Sequence, residues 1–262
     1  MQVDESSIDS TLEVIETLAQ RVLKFTEADL QNHSVIICAG DQLTNSLVNK
    51  ASACRRDDKD LLDNPSWYLK PQLGLFHVKM ATQRMVANEH WAMANSSAPW
   101  SLWRMNSLLR RKPISAGWKA KKLMPFHPAH ELTLTLVLPA NVLDALCIFA
   151  CKYSQHSTLE AWAGALQSHA ALHHVAVLPD DVQDHTLENI VLFNKDTLIL
   201  REYYHAVKHG DIGSIVNILA FWVHEFRGTG SISKYSEALL EVLMDLKTMD
   251  PCLCQAYKMS WL

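Results

Sequence analysis

The chain has 262 residues, of which 48% are hydrophobic and 20% charged, with a formal net charge of -4 when histidine is neutral. That balance excludes a largely disordered chain and describes a globular, soluble one, long enough to bury a sizeable core in one large domain or two small ones. It also excludes a general attraction to nucleic acid or acidic membrane, so any such binding must come from a local patch.

The N-terminus, "MQVDESSIDS", is acidic and polar, unlike a signal peptide. With six cysteines and no such leader, the expectation is a reduced intracellular protein, nuclear or cytoplasmic. "STLEVIETLAQRVLKFTEADL" places Leu12, Ile15, Leu18, Val22 and Phe25 on one face and predicts a single amphipathic helix of about five turns. "VIICAGDQLT" follows, an apolar run that predicts a buried strand over 34–38 and ends abruptly in Gly40 and Asp41. An aspartate there reads either as the cap of the next helix or as a metal-binding carboxylate held on a rigid strand end.

"QLTNSLVNKASACRR" resumes a helical pattern, and "RRDDKDLLDNPSW" is charged and turn-rich, a surface loop. "YLKPQLGLFHVKM" predicts a second short strand within 72–77, roughly Leu73 to Phe76, running into a helix that begins near His77. Strand, helix, strand, helix within about fifty residues is an α/β unit. His77 reads either as a structural hydrogen-bonder or as a group that orients a carboxylate or touches phosphate.

Beyond residue 100 the character changes. "SLWRMNSLLRRKPISAGWKAKKLMPFHP" concentrates Arg104, Arg110, Arg111, Lys112, Lys119, Lys121 and Lys122 among Trp103 and Trp118, just after Trp100. Cations could neutralise phosphates while an exposed indole stacks on a base, which makes Arg110, Arg111, Lys119 and Lys122 the candidate DNA contacts. The alternative is inward-packed tryptophans under a solvated basic face. From "HPAHELTLTLVL" onward nearly everything reads as helix, with an edge strand expected near 132–137. "LTLTLVLPANVLDALCIFACKY" comes nearest to a membrane span, but Pro139, Asn141 and Asp144 interrupt it, so it reads as buried core and no membrane is expected.

The cysteines lack zinc spacing and read as free buried thiols. His173 and His174, with His169 one turn earlier, point to different faces of a helix and do not make a metal site. Gly210 and Asp211 read as the joint of a helical hairpin whose second helix buries Ile215, Ile218, Leu219 and Trp222. "RGTGS" lacks the following Lys-Ser or Lys-Thr of a phosphate-binding loop. The expected fold is therefore mainly α with a small α/β portion: residues 1–99, with an N-terminal helix, then a helical region over 100–262, in one continuous globular unit.

"GDQLT", "GLFHVKM", "HPAHEL", "VLFNKDTLILREYYHAVKHGDIGSI" and "GTGSISKYSEALLEVL" occur in that order from about residue 35 to the C-terminus. The set resembles the large fungal family numbered six-five-eight-nine among domains of unknown function. The resemblance implies kinship with cut-and-paste transposases and a partial ribonuclease-H-like sheet followed by a large helical region. By the same resemblance, Asp41, His77, Glu237 and Glu241 are the catalytic positions, Asp41 and Glu241 the metal ligands, Mg²⁺ or Mn²⁺ the cofactor and DNA the partner.

Three departures accompany the resemblance. The first catalytic acid should lie on a strand upstream of Asp41, where the sequence reads as helix. The third should follow a helical insertion, four residues after Lys234, where this chain has Ala238 between Glu237 and Glu241. The sequence also stops at "YKMSWL", where family members continue, which suggests a fragment or relic. Two functions remain: a segment of a transposase-derived nuclease and strand transferase, inactive alone, or a helical binding or scaffold module without catalysis.

Overall fold

The computed structural model describes all residues except 1–6, 34, 118, 120–123, 173–183, 230–231 and 262. The fold is mainly helical, about 70% helix, with a small two-stranded parallel sheet near the N-terminus, as the periodicity predicts. In chain order the elements are α1 (Ile8–Glu16), α2 (Glu27–His33), β1 (Ile36–Gly40), α3 (Gln42–Cys54), β2 (Leu69–Leu73) and α4 (Leu75–Glu89). Then come α5 (Leu102–Leu108), α6 (Phe126–His130), α7 (Leu138–Lys152), α8 (Leu159–Leu172) and α9 (His185–His209). The last three are α10 (Ile212–Gly228), α11 (Ser233–Thr248) and α12 (Pro251–Met259). Residues 1–81 and 205–262 form one compact unit and residues 82–204 a second, so the chain leaves the first unit within α4 and returns to it within α9.

The first unit is built around the sheet. Parallel strands need a crossover connection, and α3 provides it, packing on β1, β2 and α1. Leu12, Ile15, Ala19, Leu30, Val48, Ala51 and Tyr68 form the core on that side. On return from the excursion, Gly210 (φ 69°) ends α9 and Asp211 caps α10, its carboxylate accepting from the Ser214 amide at 3.0 Å. Ile215, Ile218, Leu219, Trp222 and Phe226 then recur at helical spacing, all buried, and α10 packs along α11. The C-terminal helices are pinned to β2: Lys70 pairs with Asp245 at 2.5 Å, and the buried Gln72 amide donates to the Tyr257 carbonyl at 2.7 Å.

The second unit has its own core of Trp91, Leu102, Met124, Leu132, Val137, Leu138 and Phe193. Two buried polar pairs cross it: His90 Nε2 with Asp196 Oδ2 at 2.9 Å, and Gln83 Nε2 donating to the Thr133 hydroxyl at 3.0 Å.

Five local expectations need correction. The single N-terminal helix is three segments: α1 runs into a π-helical turn over Thr17–Val22, and the chain bends at Lys24 (φ 56°). The wider turn rotates Leu18 and Val22 outward, 49% and 61% exposed, and Thr26 and Asp29 cap one another reciprocally to start α2. The second strand lies at Leu69–Leu73, earlier than expected, and Phe76 and His77 fall in the first turn of α4. Pro71 pairs with Cys38 within this strand, since each strand of a two-stranded sheet is an edge, where proline is tolerated.

The alternating "LTLTLV" is a π-helical turn, Glu131–Val137, and not an edge strand. Leu132 and Thr133 are both fully buried, which a half-buried strand does not allow, and the Thr133 hydroxyl donates back to the Ala129 carbonyl at 3.0 Å. Finally, α7 is not buried core. Leu138 is buried, but Leu143, Leu146 and Ile148 are 64%, 56% and 62% exposed. The cysteines likewise depart from expectation: all six are free, but Cys54, Cys147, Cys151 and Cys252 are exposed.

The Gln72 anchor yields a stability prediction. Its side chain holds the Tyr257 carbonyl and also accepts from the Ser260 hydroxyl at 2.8 Å. Gln72→Ala removes both bonds and leaves a small cavity, so urea unfolding should show a loss of about 2 to 4 kcal/mol.

Candidate functional site

The two parallel strands run the same way, so both C-terminal tips lie at one edge of the sheet, where ligands bind in open α/β arrangements. There Gly40 of β1 pairs with Leu73 of β2, and the Gly74 amide donates to the Gly40 carbonyl at 2.8 Å. Close approach demands glycine at Gly40 and favours it at Gly74. A Cβ on Gly40 would stand 2.8 Å from Thr44 Cγ2, and one on Gly74 would stand 3.3 Å from the Gly40 oxygen and 3.4 Å from His77 Cδ2.

Asp41 follows Gly40 and caps α3, its Oδ1 accepting from the Thr44 amide at 2.7 Å. Both readings of this residue therefore start from one geometry: a cap on a strand tip. Burial pushes the Asp41 carboxyl up, but the Thr44 amide and hydroxyl and the charge of His77 outweigh it, holding the carboxyl below the ordinary aspartate range. His77 reaches this place from the first turn of α4, its amide donating to the Gly74 carbonyl at 3.0 Å. Tyr235 of α11 completes the surroundings: burial raises its hydroxyl pKa, and the negative charge of Asp41 raises it further.

Next to this tip, α3 and α11 enclose a polar groove of about 370 Å³ lined by Asn45, Ser46, Asn49 and Lys50 on one side and Lys234, Glu237, Ala238 and Glu241 on the other. Glu241 accepts from Asn49 Nδ2 at 3.1 Å, and Glu237 meets Arg227 at 3.5 Å with both side chains exposed. Asn45 Oδ1 is buried without a hydrogen-bond partner.

The structure thus brings Asp41 and His77 together, and it sets Glu237 and Glu241 along a groove that opens from the helix Asp41 caps. A two-ion site needs acids around both ions, yet no three His, Cys, Asp or Glu side chains gather into a metal-ligand set among the described residues. The residues before β1 that the structure describes are helical apart from short joints and carry no strand-borne acid. The groups present do not fit a two-metal site, and no chemical step is routed through one.

Tyr235, Asn45, Asn49 and Lys234 were not singled out from the sequence as site residues. Tyr235 stands inside the quoted "KYSE", but a search for acids and metal ligands passes over a phenol.

The basic segment is only partly free. Arg111 pairs with Glu131 at 2.6 Å, a bond that holds the Glu131 carboxyl below its ordinary range. Arg110 (φ 52°), Lys112 and Lys119 are exposed. Lys122 and Trp118 lie outside the described residues, as do His173, His174 and the side chain of His169. Trp103 packs against the core of the second unit, and Trp91, Trp103 and Lys119 border a cavity of about 560 Å³.

Two predictions follow from the strand tip. Asn caps helices as well as Asp, so Asp41→Asn should leave thermal stability near wild type at neutral pH, whereas Asp41→Ala should cost about 1 kcal/mol. Because the folded-state pKa of Asp41 is depressed, its contribution is present above the unfolded value of about 3.9 and is lost as pH falls through the lower folded value. Acid titration of stability should therefore show a limb below about pH 4 that Asp41→Asn weakens.

A family model described as a family of unknown function, DUF6589, matches residues 1–262, and the chain belongs to that family. No curated protein and no solved structure matches the chain.

Proposed function

We propose that the chain is a catalytically incomplete relative of ribonuclease-H-like DNA transposases and that, as it stands, it binds DNA without cutting it. One observation carries this reading: an aspartate follows the tip of one of two parallel strands, a histidine lies in the first helical turn after the other, and Tyr235, whose hydroxyl feels the aspartate's charge, is supplied only after the helical excursion of residues 82–204. An acid at a strand tip, a helical insertion and then a helix returning to that tip is the order that the resemblance to transposases implies. The same comparison makes the deficits specific. The first acid has no strand to stand on, and α11 presents Ala238 to the groove between two glutamates, one engaged by Asn49 and one by Arg227.

The DNA contact in this reading is the basic stretch of the second unit. Arg110 and Lys119 are its open cations, Arg111 is partly neutralised by Glu131, and Lys122 extends the run in sequence. Since Trp103 packs inward, binding rests on phosphate neutralisation more than on base stacking. A helical binding module without nucleic acid is the second reading, favoured by the exposed apolar length of α7.

Fluorescence anisotropy with duplex DNA over a salt series distinguishes the two. Neutralising about three phosphates gives a slope of log K against log salt near -3, and changing Arg110, Arg111, Lys119 and Lys122 together to Gln should bring it close to zero. Salt-insensitive binding, or binding unchanged in that variant, contradicts the proposal. Plasmid DNA incubated with the chain and Mg²⁺ or Mn²⁺ should stay supercoiled; nicking that Asp41→Asn abolishes would show an active nuclease instead.

A further inference from the structure

The residues 126–152 form one continuous helical stretch of 27 residues whose most apolar window has a mean hydropathy of 2.0, yet only 11% of that window is buried. The two halves differ. Ala129, Leu132, Thr133, Val137 and Leu138 are buried in the second unit, whereas from 143 to 148 every residue is exposed. A helix apolar all round in water requires a covering.

A bilayer does not fit. The first half is already packed in protein, and the 14 residues from 139 to 152 would reach only about 20 Å, short of the roughly 30 Å of a hydrocarbon core. No basic stripe suits a headgroup surface either, since Lys152 is the sole cation of α7.

The charges of α7 point to a second copy. Asp144 and Lys152 are the only charged residues from 139 to 152, and they stand four positions before and four after Ile148. All three lie on one stripe of the helix with Ala145 and Cys151, and all five are exposed. Neither charge has an ion-pair partner among the described residues. Helix α8 covers a different side of α7, where Phe149 meets Trp162 with ring centroids 5.3 Å apart.

We infer that α7 is a self-association element, two copies crossing antiparallel about a two-fold axis at Ile148. In that arrangement Ile148 packs on its symmetry mate, Ala145 faces Cys151 with little bulk between the backbones, and each Asp144 meets the other copy's Lys152. An isologous contact of this kind is the commonest way for a chain to pair with itself. The contact runs along one exposed stretch of α7, about 20 Å long, which is smaller than a standard stable interface, so the association is weak and concentration-dependent.

Sedimentation velocity of the full chain across micromolar concentrations, under reducing conditions because Cys147 and Cys151 are exposed, tests this. The wild type should shift from monomer to dimer, and Ile148→Asp should remain monomeric with an unchanged circular dichroism spectrum. Asp144→Lys and Lys152→Asp should each weaken dimerisation about tenfold by placing like charges together twice. The double variant Asp144→Lys/Lys152→Asp should recover to near the wild-type value. A wild type that stays monomeric throughout, dimerisation unaffected by Ile148→Asp, or a double variant no better than either single change overturns the inference; the surface charge series decides it even if Ile148→Asp fails to fold.

Discussion

Two parallel strands of five residues cannot stand alone in water, and the first unit is organised around that constraint. Parallel pairing demands a crossover, so α3 must leave the tip of β1 and return over the sheet before β2 begins. It also leaves both strands as edges; α3 packs on both of them and α11 on β2. The carbonyl of Gly40 and the amide of Gly74 close the tips, and the C-terminal end of the chain binds the same strand through the Tyr257 carbonyl on Gln72 and the Trp261 indole on the Leu73 carbonyl. Asp41 and His77 come together because the only way out of each strand is past this junction.

The electrostatics of the junction follow from what surrounds it. The Thr44 amide and hydroxyl and the charge of His77 hold the Asp41 carboxyl below its ordinary range against the effect of burial, and burial, with the Asp41 charge added, raises the Tyr235 hydroxyl pKa. What the junction lacks is company: the glutamates of α11 are engaged by Asn49 and Arg227, and position 238 between them is alanine. Two-ion chemistry needs acids around both ions, and no three such ligands gather among the described residues.

Much of this was legible in the sequence for a local reason. Asp41 at a strand tip follows from an apolar run cut off by Gly-Asp, and the hairpin at Gly210 and Asp211 from cap chemistry. The misreadings share a physical cause, which is tertiary environment overriding local pattern. "LTLTLV" alternates like a strand, but a buried threonine that satisfies its hydroxyl within its own helix removes the need for alternation. The second strand is expected at 72–77 and lies at Leu69–Leu73, because pairing with β1 sets its register and that pairing is not visible in one dimension. The length of α7 looked like core because composition reports how apolar a helix is, not how much of it the described residues bury. Tyr235 lies nearly two hundred residues from Asp41 in sequence, and only the fold places the two together.

The proposal most in need of a test is that the strand tip descends from a metal-dependent site and lacks its partner acids. Thermal melting with and without Mn²⁺ on four chains, the wild type, Ala238→Glu, Asp41→Asn and the double variant, tests it most directly, because a ligand that binds only the folded state raises the melting temperature by mass action. The expected result is no Asp41-dependent rise in the wild type; a rise in Ala238→Glu that is lost when Asp41→Asn is added would identify position 238 as the place of one missing acid. A clear Asp41-dependent rise in the wild type would contradict the proposal.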